Sequence, residues 1–104
     1  MLELRPNCEL CDRDLPPCSN EARICTYECT YCADCAESTL KNVCPTCGGN
    51  FSPRPIRPKN AWRPERKLGL HYHPASNVRV HSKFTMDDIN AHVARIKDIA
   101  PEDR

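Results

Sequence analysis

The chain has few of the residues from which a large apolar core is built. Of its 104 residues, 39% are hydrophobic and 6% are aromatic, whereas ten are prolines. Chains this small usually need metals, disulfides or partner subunits to stay folded. The sequence therefore predicts a small module with appendages, stabilised by something other than apolar burial.

Two further absences bear on the compartment. No stretch approaches the run of about 18 apolar residues that a membrane span requires, so we expect no membrane segment. The opening residues MLELRPNCEL lack the apolar run of a secretory signal peptide, and the nine cysteines are odd in number. We therefore expect a soluble, cytoplasmic protein with reduced thiols, in which clustered cysteines more often bind metal than form disulfides.

The distribution of charge divides the chain into three segments. Residues 1–50 contain all nine cysteines and have a net charge of −4, residues 51–83 have +7, and residues 84–104 have −2. The middle segment places five prolines among six basic residues in FSPRPIRPKNAWRPERKLGLHYHPAS, a spacing that excludes a helix and favours extended chain. We predict a cysteine-rich module, an extended basic arm and a C-terminal helix, with these boundaries.

The C-terminal segment predicts an amphipathic helix. Thr85 is placed to cap the helix, with Asp88 at its third position, and Pro101 is placed to end it. An apolar stripe recurs at spacings of three and four, formed by Met86, Ile89, Val93, Ile96 and Ala100. Three partners for this stripe remain open: the chain's own module, a second copy in a homodimer through residues 85–100, or a groove of another protein. His92 lies on the polar side of the helix and is predicted to be solvated.

Eight of the nine cysteines form a ladder with metal-ligand spacings. They are Cys8, Cys11, Cys25, Cys29, Cys32, Cys35, Cys44 and Cys47. A CxxC pair suits a metal because a tight knuckle turns backbone amides toward the sulfurs. In CPTCGG, Pro45 favours such a turn, and Gly48 and Gly49 permit the positive φ with which the chain leaves it. Eight thiolates make two tetrahedral sites, for which zinc is the natural occupant. The ladder predicts two zinc ions.

The segment CADCAESTLKNV suggests how the ligands combine. Its residues favour a helix to about Asn42, whose first turn presents Cys32 and Cys35 on one side. A knuckle at CELCD, a hairpin through ARICTYECTY and this helix together describe a treble clef. Zinc site 1 is then formed by Cys8, Cys11, Cys32 and Cys35, and zinc site 2 by Cys25, Cys29, Cys44 and Cys47. The alternative, in which the first four and the last four cysteines form the two sites, remains open. A short strand is also predicted at VRVH, residues 78–81.

The interleaved order resembles the cross-brace of RING-type zinc fingers, with Cys29 where these usually have histidine. The resemblance covers residues 8–47 and implies a small zinc-stabilised α+β fold, a RING-like treble clef with two zinc sites of four cysteines each. Leu10 and Pro45 match an apolar residue and a proline of ubiquitin-ligase RING fingers. Two features depart from the ligase pattern: Gly48 replaces a basic residue that often follows the last ligand, and AESTLKNV lacks the usual tryptophan. The resemblance therefore implies the fold more than the ligase activity.

A closer resemblance covers about residues 1–58. The phrases LRPNCELCDRDLPP, ARICTYECTYCADCA and CPTCGG are similar to a family of short bacterial cysteine-rich proteins known as domain of unknown function 1272. This resemblance implies a bacterial source, in which a ubiquitin cascade is not expected. It implies no activity.

The predicted function is that of a non-enzymatic protein-interaction module with structural zinc, because a closed four-thiolate site has no open position for water or substrate. Leu10 and Pro45 are candidate contacts, and Ile24 and Leu40 are predicted to be either contacts or core.

Two alternatives remain open. One is nucleic-acid binding through the basic arm, in which Arg63 and Arg66 accompany aromatic side chains. Packing of the arm on the acidic module, or simple solvation, is the plainer interpretation, and an acidic protein surface is a further alternative. The other is thiol redox chemistry or metal handling, which would use Cys18 and three histidines. These are His71, His73 and His81, two of which lie in HYH; a solvated loop is the simpler interpretation of all three.

Overall fold

The fold is built on a three-stranded antiparallel sheet. The structure, a computed structural model, describes residues 1–104. The strands are β1 (Ala22–Ile24), β2 (Thr30–Cys32) and β3 (Ser52–Pro53), in the order β2-β1-β3. β1 and β2 form the predicted hairpin, whereas β3 comes from the first residues of the predicted arm. Together with one α-helix, this sheet confirms a small α+β fold.

The α-helix, α1 (Met86–Ile96), lies in the C-terminal segment. Thr85 caps it as predicted, because its side chain accepts a hydrogen bond from the backbone amide of Asp88 at 3.2 Å. The helix is shorter than the apolar stripe, since a residue before proline is disfavoured in helical conformation. Ala100, which precedes a proline, is extended, with φ −59° and ψ 142°. A 3₁₀ turn follows at Pro101–Asp103.

Helix α1 belongs to the same core as the cysteine-rich module. The buried core residues are Cys8, Leu15, Ala22, Cys25, Cys29, Tyr31, Cys32, Ala36, Leu40, Val43, Cys44, Ile89 and Val93. Ile89 and Val93 are 1% and 3% exposed, whereas Met86 is 45% exposed. The buried part of the stripe therefore packs within the chain, and homodimerisation through residues 85–100 stays a prediction.

Two local predictions are wrong. The helix expected to reach Asn42 is a short turn that ends in a π-helical stretch, Cys35–Thr39, because Lys41 and Asn42 adopt left-handed conformations with φ of 47° and 63°. VRVH is not a strand, because a side chain, rather than a neighbouring strand, forms hydrogen bonds with its backbone. Asn7 donates from Nδ2 to the carbonyl of Val80 at 2.8 Å and accepts at Oδ1 from its amide at 3.1 Å.

Arg54 attaches the start of the basic arm to the module. It is 4% exposed, and its guanidinium donates to three backbone carbonyls. These belong to Arg5, Leu15 and Pro16, at 2.8, 3.2 and 3.1 Å. No acidic side chain pairs with Arg54, so backbone dipoles alone compensate its charge.

Two more arginines make similar attachments. Arg57 donates to the carbonyls of Leu2 and His73 at 2.6 and 2.8 Å. Arg79 forms ion pairs with Asp12 at 2.8 Å and Asp14 at 2.7 Å. Part of the basic arm therefore packs on the acidic module.

Residues 58–70 leave the module and return to it as one compact loop, which we call the 58–70 loop. The amide of Leu70 donates to the carbonyl of Pro58 at 2.9 Å and closes it. A 3₁₀ turn, Pro64–Arg66, lies near its middle.

None of the helices combines the length and the apolar character that a membrane span requires.

Candidate metal centres

The first cysteine group combines a knuckle before the sheet with the last residue of β2 and the helical turn that follows it. The Sγ atoms of Cys8, Cys11, Cys32 and Cys35 all lie within 4.8 Å of one another. The Sγ atoms of Cys11 and Cys32 are 3.7 Å apart. Around a tetrahedral zinc ion with Zn–S bonds of about 2.3 Å, neighbouring sulfurs are about 3.8 Å apart. The spacing fits a four-sulfur metal site and is much longer than a disulfide bond.

Backbone amides converge on the sulfurs of this group. The amides of Leu10 and Cys11 both lie 3.5 Å from Cys8 Sγ, and the amide of Cys35 lies 3.4 Å from Cys32 Sγ. The knuckle closes where the amide of Asp12 donates to the carbonyl of Cys8 at 3.0 Å, with Asp12 at φ 67°. These donors stabilise negative charge on sulfur, as a thiolate ligand requires.

The second group combines the turn of the hairpin, between β1 and β2, with the knuckle at Cys44 and Cys47. The Sγ atoms of Cys25, Cys44 and Cys47 lie within 4.8 Å of one another. Cys29 lies beside them, and its thiol interacts with those of Cys44 and Cys25. The group therefore has three closely spaced sulfurs and an adjacent fourth, from the four cysteines of predicted zinc site 2.

The second group has the same amide pattern. The amide of Tyr27 lies 3.3 Å from Cys25 Sγ, and that of Gly49 lies 3.4 Å from Cys47 Sγ. Gly48 has the predicted positive φ, 77°, and its amide donates to the carbonyl of Cys44 at 2.9 Å. Both CxxC knuckles thus close through the same hydrogen bond, from the fifth residue to the first.

Crowding of the thiols separates their pKa values. A hydrogen bond with Cys44 lowers the pKa of Cys29 to about 6, and the same contact raises the pKa of Cys44. Burial raises the pKa of Cys25 to about 11 and also raises the pKa of Cys35. Neutral thiols thus stabilise one thiolate among them. Full ionisation of four clustered thiols requires a cation, which a coordinated metal ion supplies.

Glu9, inside the first knuckle, links that knuckle to β2. Its side chain is 6% exposed, and its Oε2 accepts hydrogen bonds from the backbone amide of Thr30 at 2.5 Å and from Arg5 at 2.8 Å. Its own amide donates to the carbonyl of Thr30 at 2.9 Å. The sequence offers no signal that separates this buried glutamate from a solvated one, and it was not among the predicted site residues.

The C-terminal segment supports the second knuckle. His92 Nε2 lies 3.0 Å from the carbonyl oxygen of Cys44, so the prediction that His92 is only solvated is wrong. Arg104 donates to the carbonyl of Gly48 at 3.2 Å and to that of Asn42 at 2.8 Å. A β-carbon on Gly48 would lie 3.3 Å from Ile96 Cδ1, so the backbone of this knuckle and helix α1 are in close approach.

The predicted contact residues differ in their access to solvent. Pro45 and Leu40 are buried, and Leu10 is partly buried against the core. Arg63 and Arg66 are exposed. The knuckles therefore offer little apolar surface, whereas the 58–70 loop presents its side chains to solvent.

Cys18 and the histidines lie outside both groups. Cys18 is an exposed free thiol. No set of three or more clustered ligands includes His71, His73 or His81. The nearest approach to a carboxylate is that of His81 Nε2, 3.7 Å from Asp12 Oδ1.

Fold and site together define a small, cysteine-rich α+β protein with two cysteine clusters that could hold metal ions. The chain belongs to the family described as "Protein of unknown function (DUF1272)", whose profile matches residues 1–57. It is 55% identical over 80 residues to an uncharacterized protein of Rhizobium meliloti (strain 1021), an alignment that covers 77% of this chain and 86% of the relative. No solved structure matches the chain significantly. The family resemblance predicted from the cysteine phrases is thereby confirmed.

Proposed function

We propose that the chain is a non-enzymatic interaction module held together by two structural zinc ions. The observation that carries the proposal is the interleaved grouping of the cysteines: Cys32 and Cys35, from the end of β2 onward, join the first knuckle, while the pair before β2 lies with the last knuckle. This is the order of a RING-like cross-brace, and a knuckle, a hairpin and a helical turn around site 1 form a treble clef. Such an arrangement joins both ions to one rigid body.

Zinc fits these groups better than other ions do. Four soft thiolates at tetrahedral spacing suit Zn²⁺ or an iron–sulfur centre, and zinc has no redox chemistry that would make a structural role unstable. Structural zinc contributes a folding free energy on the order of 10 kcal/mol per site. This free energy would compensate for the small contribution of a core with few aromatic side chains.

Binding, rather than catalysis, is the role that this arrangement supports. Four protein ligands fill the coordination of zinc and leave no place for substrate. The module would then present a surface to a partner. Since Pro45 is buried and Leu10 partly so, we assign this surface to the 58–70 loop, whose Arg63 and Arg66 are free. Both a protein and a nucleic acid have chemistry suited to an exposed basic loop.

The test is the metal content of the purified chain, together with the spectrum of its Co²⁺-substituted form. We expect two zinc ions per chain and the charge-transfer bands of tetrahedral cobalt–thiolate sites. Cys11→Ser and Cys47→Ser should each impair one site, whereas Cys18→Ser should leave both ions bound. A single zinc ion in the unaltered chain, or iron in place of zinc, would contradict the cross-brace.

A further inference from the structure

The basic residues of the arm fall into two sets. Arg54, Arg57 and Arg79 are used in contacts with the module. The four basic residues of the 58–70 loop make no ion pair and no side-chain hydrogen bond within the chain; they are Lys59, Arg63, Arg66 and Lys67. Self-packing therefore explains the first set and leaves the second without a partner. With Glu65 as its single acid, the loop has a net charge of +3.

The same loop contains the most exposed large aromatic side chain of the protein. Trp62 is 80% exposed. Beside it lies a cleft of about 350 Å³, lined by Pro58, Asn60, Trp62, Arg63, Arg66 and Leu68. This volume is at the lower end of the range of about 300 to 1,000 Å³ that small-molecule sites occupy. The cleft thus combines a flat aromatic wall, two guanidinium groups and an amide.

The loop is held in shape by its own backbone. Gly69 has φ 101°, and a β-carbon there would lie 2.9 Å from the carbonyl oxygen of Asn60 and 3.1 Å from that of Pro58. The two ends of the loop therefore meet at a position that only glycine fits. Pro64 opens the 3₁₀ turn that places Arg63 and Arg66 at its two ends. A preformed loop loses less conformational entropy on binding than a flexible arm does.

We propose that the 58–70 loop binds single-stranded nucleic acid, with a base stacked on Trp62 in the cleft and the adjacent phosphates at Arg63 and Arg66. The site rests on the proposed function, because Arg54 and Arg57 attach the chain before the loop to the module that zinc is proposed to stabilise. Aromatic stacking combined with cations that follow the backbone is how proteins bind single strands without reading their sequence. An unstacked base is flat and fits into a concave cleft. Proteins that bind a lipid surface instead insert a convex apolar tip.

Direct binding of the full-length, zinc-loaded chain to a labelled oligothymidylate, followed by fluorescence anisotropy at several salt concentrations, tests the proposal. Trp62→Ala should weaken binding about 5- to 150-fold, since base stacking contributes roughly 1–3 kcal/mol. For the double variant Arg63→Ala/Arg66→Ala, a plot of the logarithm of the binding constant against the logarithm of the salt concentration should be less steep. Its negative slope should shrink in magnitude by about 1.4, because each phosphate contact on a single strand contributes about 0.7.

Matched controls separate the site from general charge and aromaticity. Lys83→Ala/Lys97→Ala removes two charges outside the loop, and Phe84→Ala removes an aromatic side chain that is 44% exposed elsewhere. Both controls should bind as the unaltered chain does, and Trp62→Phe should retain most of the affinity. Zinc content is measured on every variant, so that failure of the scaffold is distinguished from failure of the loop.

Three results would overturn the proposal in a chain that contains two zinc ions. The first is no binding to the oligonucleotide at low salt. The second is equal weakening by the loop variants and by their matched controls. The third is binding to phosphatidylserine vesicles or to an acidic peptide, but not to single strands. A chain without zinc would instead refute the proposed scaffold.

Discussion

Arg54 offers the sharpest test of how the arm is held to the module. Its guanidinium is 4% exposed and donates to three backbone carbonyls, those of Arg5, Leu15 and Pro16. Burial lowers the pKa of Arg54, and the nearby charge of Arg57 adds to that effect. The buried cation is therefore unfavourable by itself. The three hydrogen bonds must offset this cost in the native structure.

Replacing Arg54 with alanine leaves the carbonyls of Arg5 and Leu15 without a donor, whereas the carbonyl of Pro16 still accepts from the amide of Ser19 at 2.9 Å. A buried polar group without its partner costs about 1–3 kcal/mol, and removal of the desolvated cation recovers part of that loss. We therefore expect a net destabilisation of about 3 kcal/mol. For a domain of about 100 residues this lowers the melting temperature by roughly 12–24 °C. Arg54→Lys should recover little, because one ammonium group cannot reproduce the planar fork of donors.

Thermal unfolding followed by circular dichroism, at a fixed concentration of free zinc, is the assay, because zinc binding is coupled to folding. Arg63→Ala is the matched control, since it removes an exposed arginine without a partner in the chain. Its effect should stay within about 0.5 kcal/mol. If Arg54→Ala and Arg63→Ala have the same melting temperature, the buried hydrogen bonds do not hold the arm, and the reasoning is refuted.

Three further variants test other contacts. Asn7→Ala should destabilise the chain by about 1–3 kcal/mol in urea unfolding, because it removes both hydrogen bonds to Val80; an effect as small as that of an exposed asparagine would contradict this. Ile89→Ala should lower the free energy of unfolding by about 2–5 kcal/mol in the same assay, and Met86→Ala by far less, because only Ile89 is buried. Equal effects would show that helix α1 is not packed on the module. Gly69→Ala should leave two zinc ions bound but increase trypsin cleavage within the 58–70 loop; unchanged cleavage would mean that the close approach does not shape the loop.

Local chemistry predicted the parts of the structure that depend on neighbouring residues. The hairpin, the cap at Thr85 and the positive φ of Gly48 all follow from residue types within a few positions. The structure brings together thiols that the treble-clef interpretation of CADCAESTLKNV had combined, although the ladder spacing by itself left the sequential grouping open. Cys29 is the exception in detail, since it lies beside the other three sulfurs of its group rather than among them.

Contacts between distant segments were beyond the sequence. Asn7 and Val80 are 73 positions apart, and only the folded chain shows that an asparagine side chain replaces a strand partner there. The contact between His92 and Cys44 is of the same kind, as is the burial of Pro45. Glu9 shows a further limit: an acidic residue in a knuckle gives no sign of burial, because one of the two partners of its side chain is a backbone amide of another segment, that of Thr30.

The interleaving of the two cysteine groups also sets an order of events during synthesis. The first group is complete once Cys35 has left the ribosome, but Cys25 and Cys29 must wait for Cys44 and Cys47. At about 5–20 residues per second this delay is on the order of a second. During that interval the nascent chain has one finished cluster and two waiting thiols, and the histidine that supports the last knuckle is still to be made. If the proposed zinc ions bind during synthesis, the first site can therefore be filled about a second before the second site is complete.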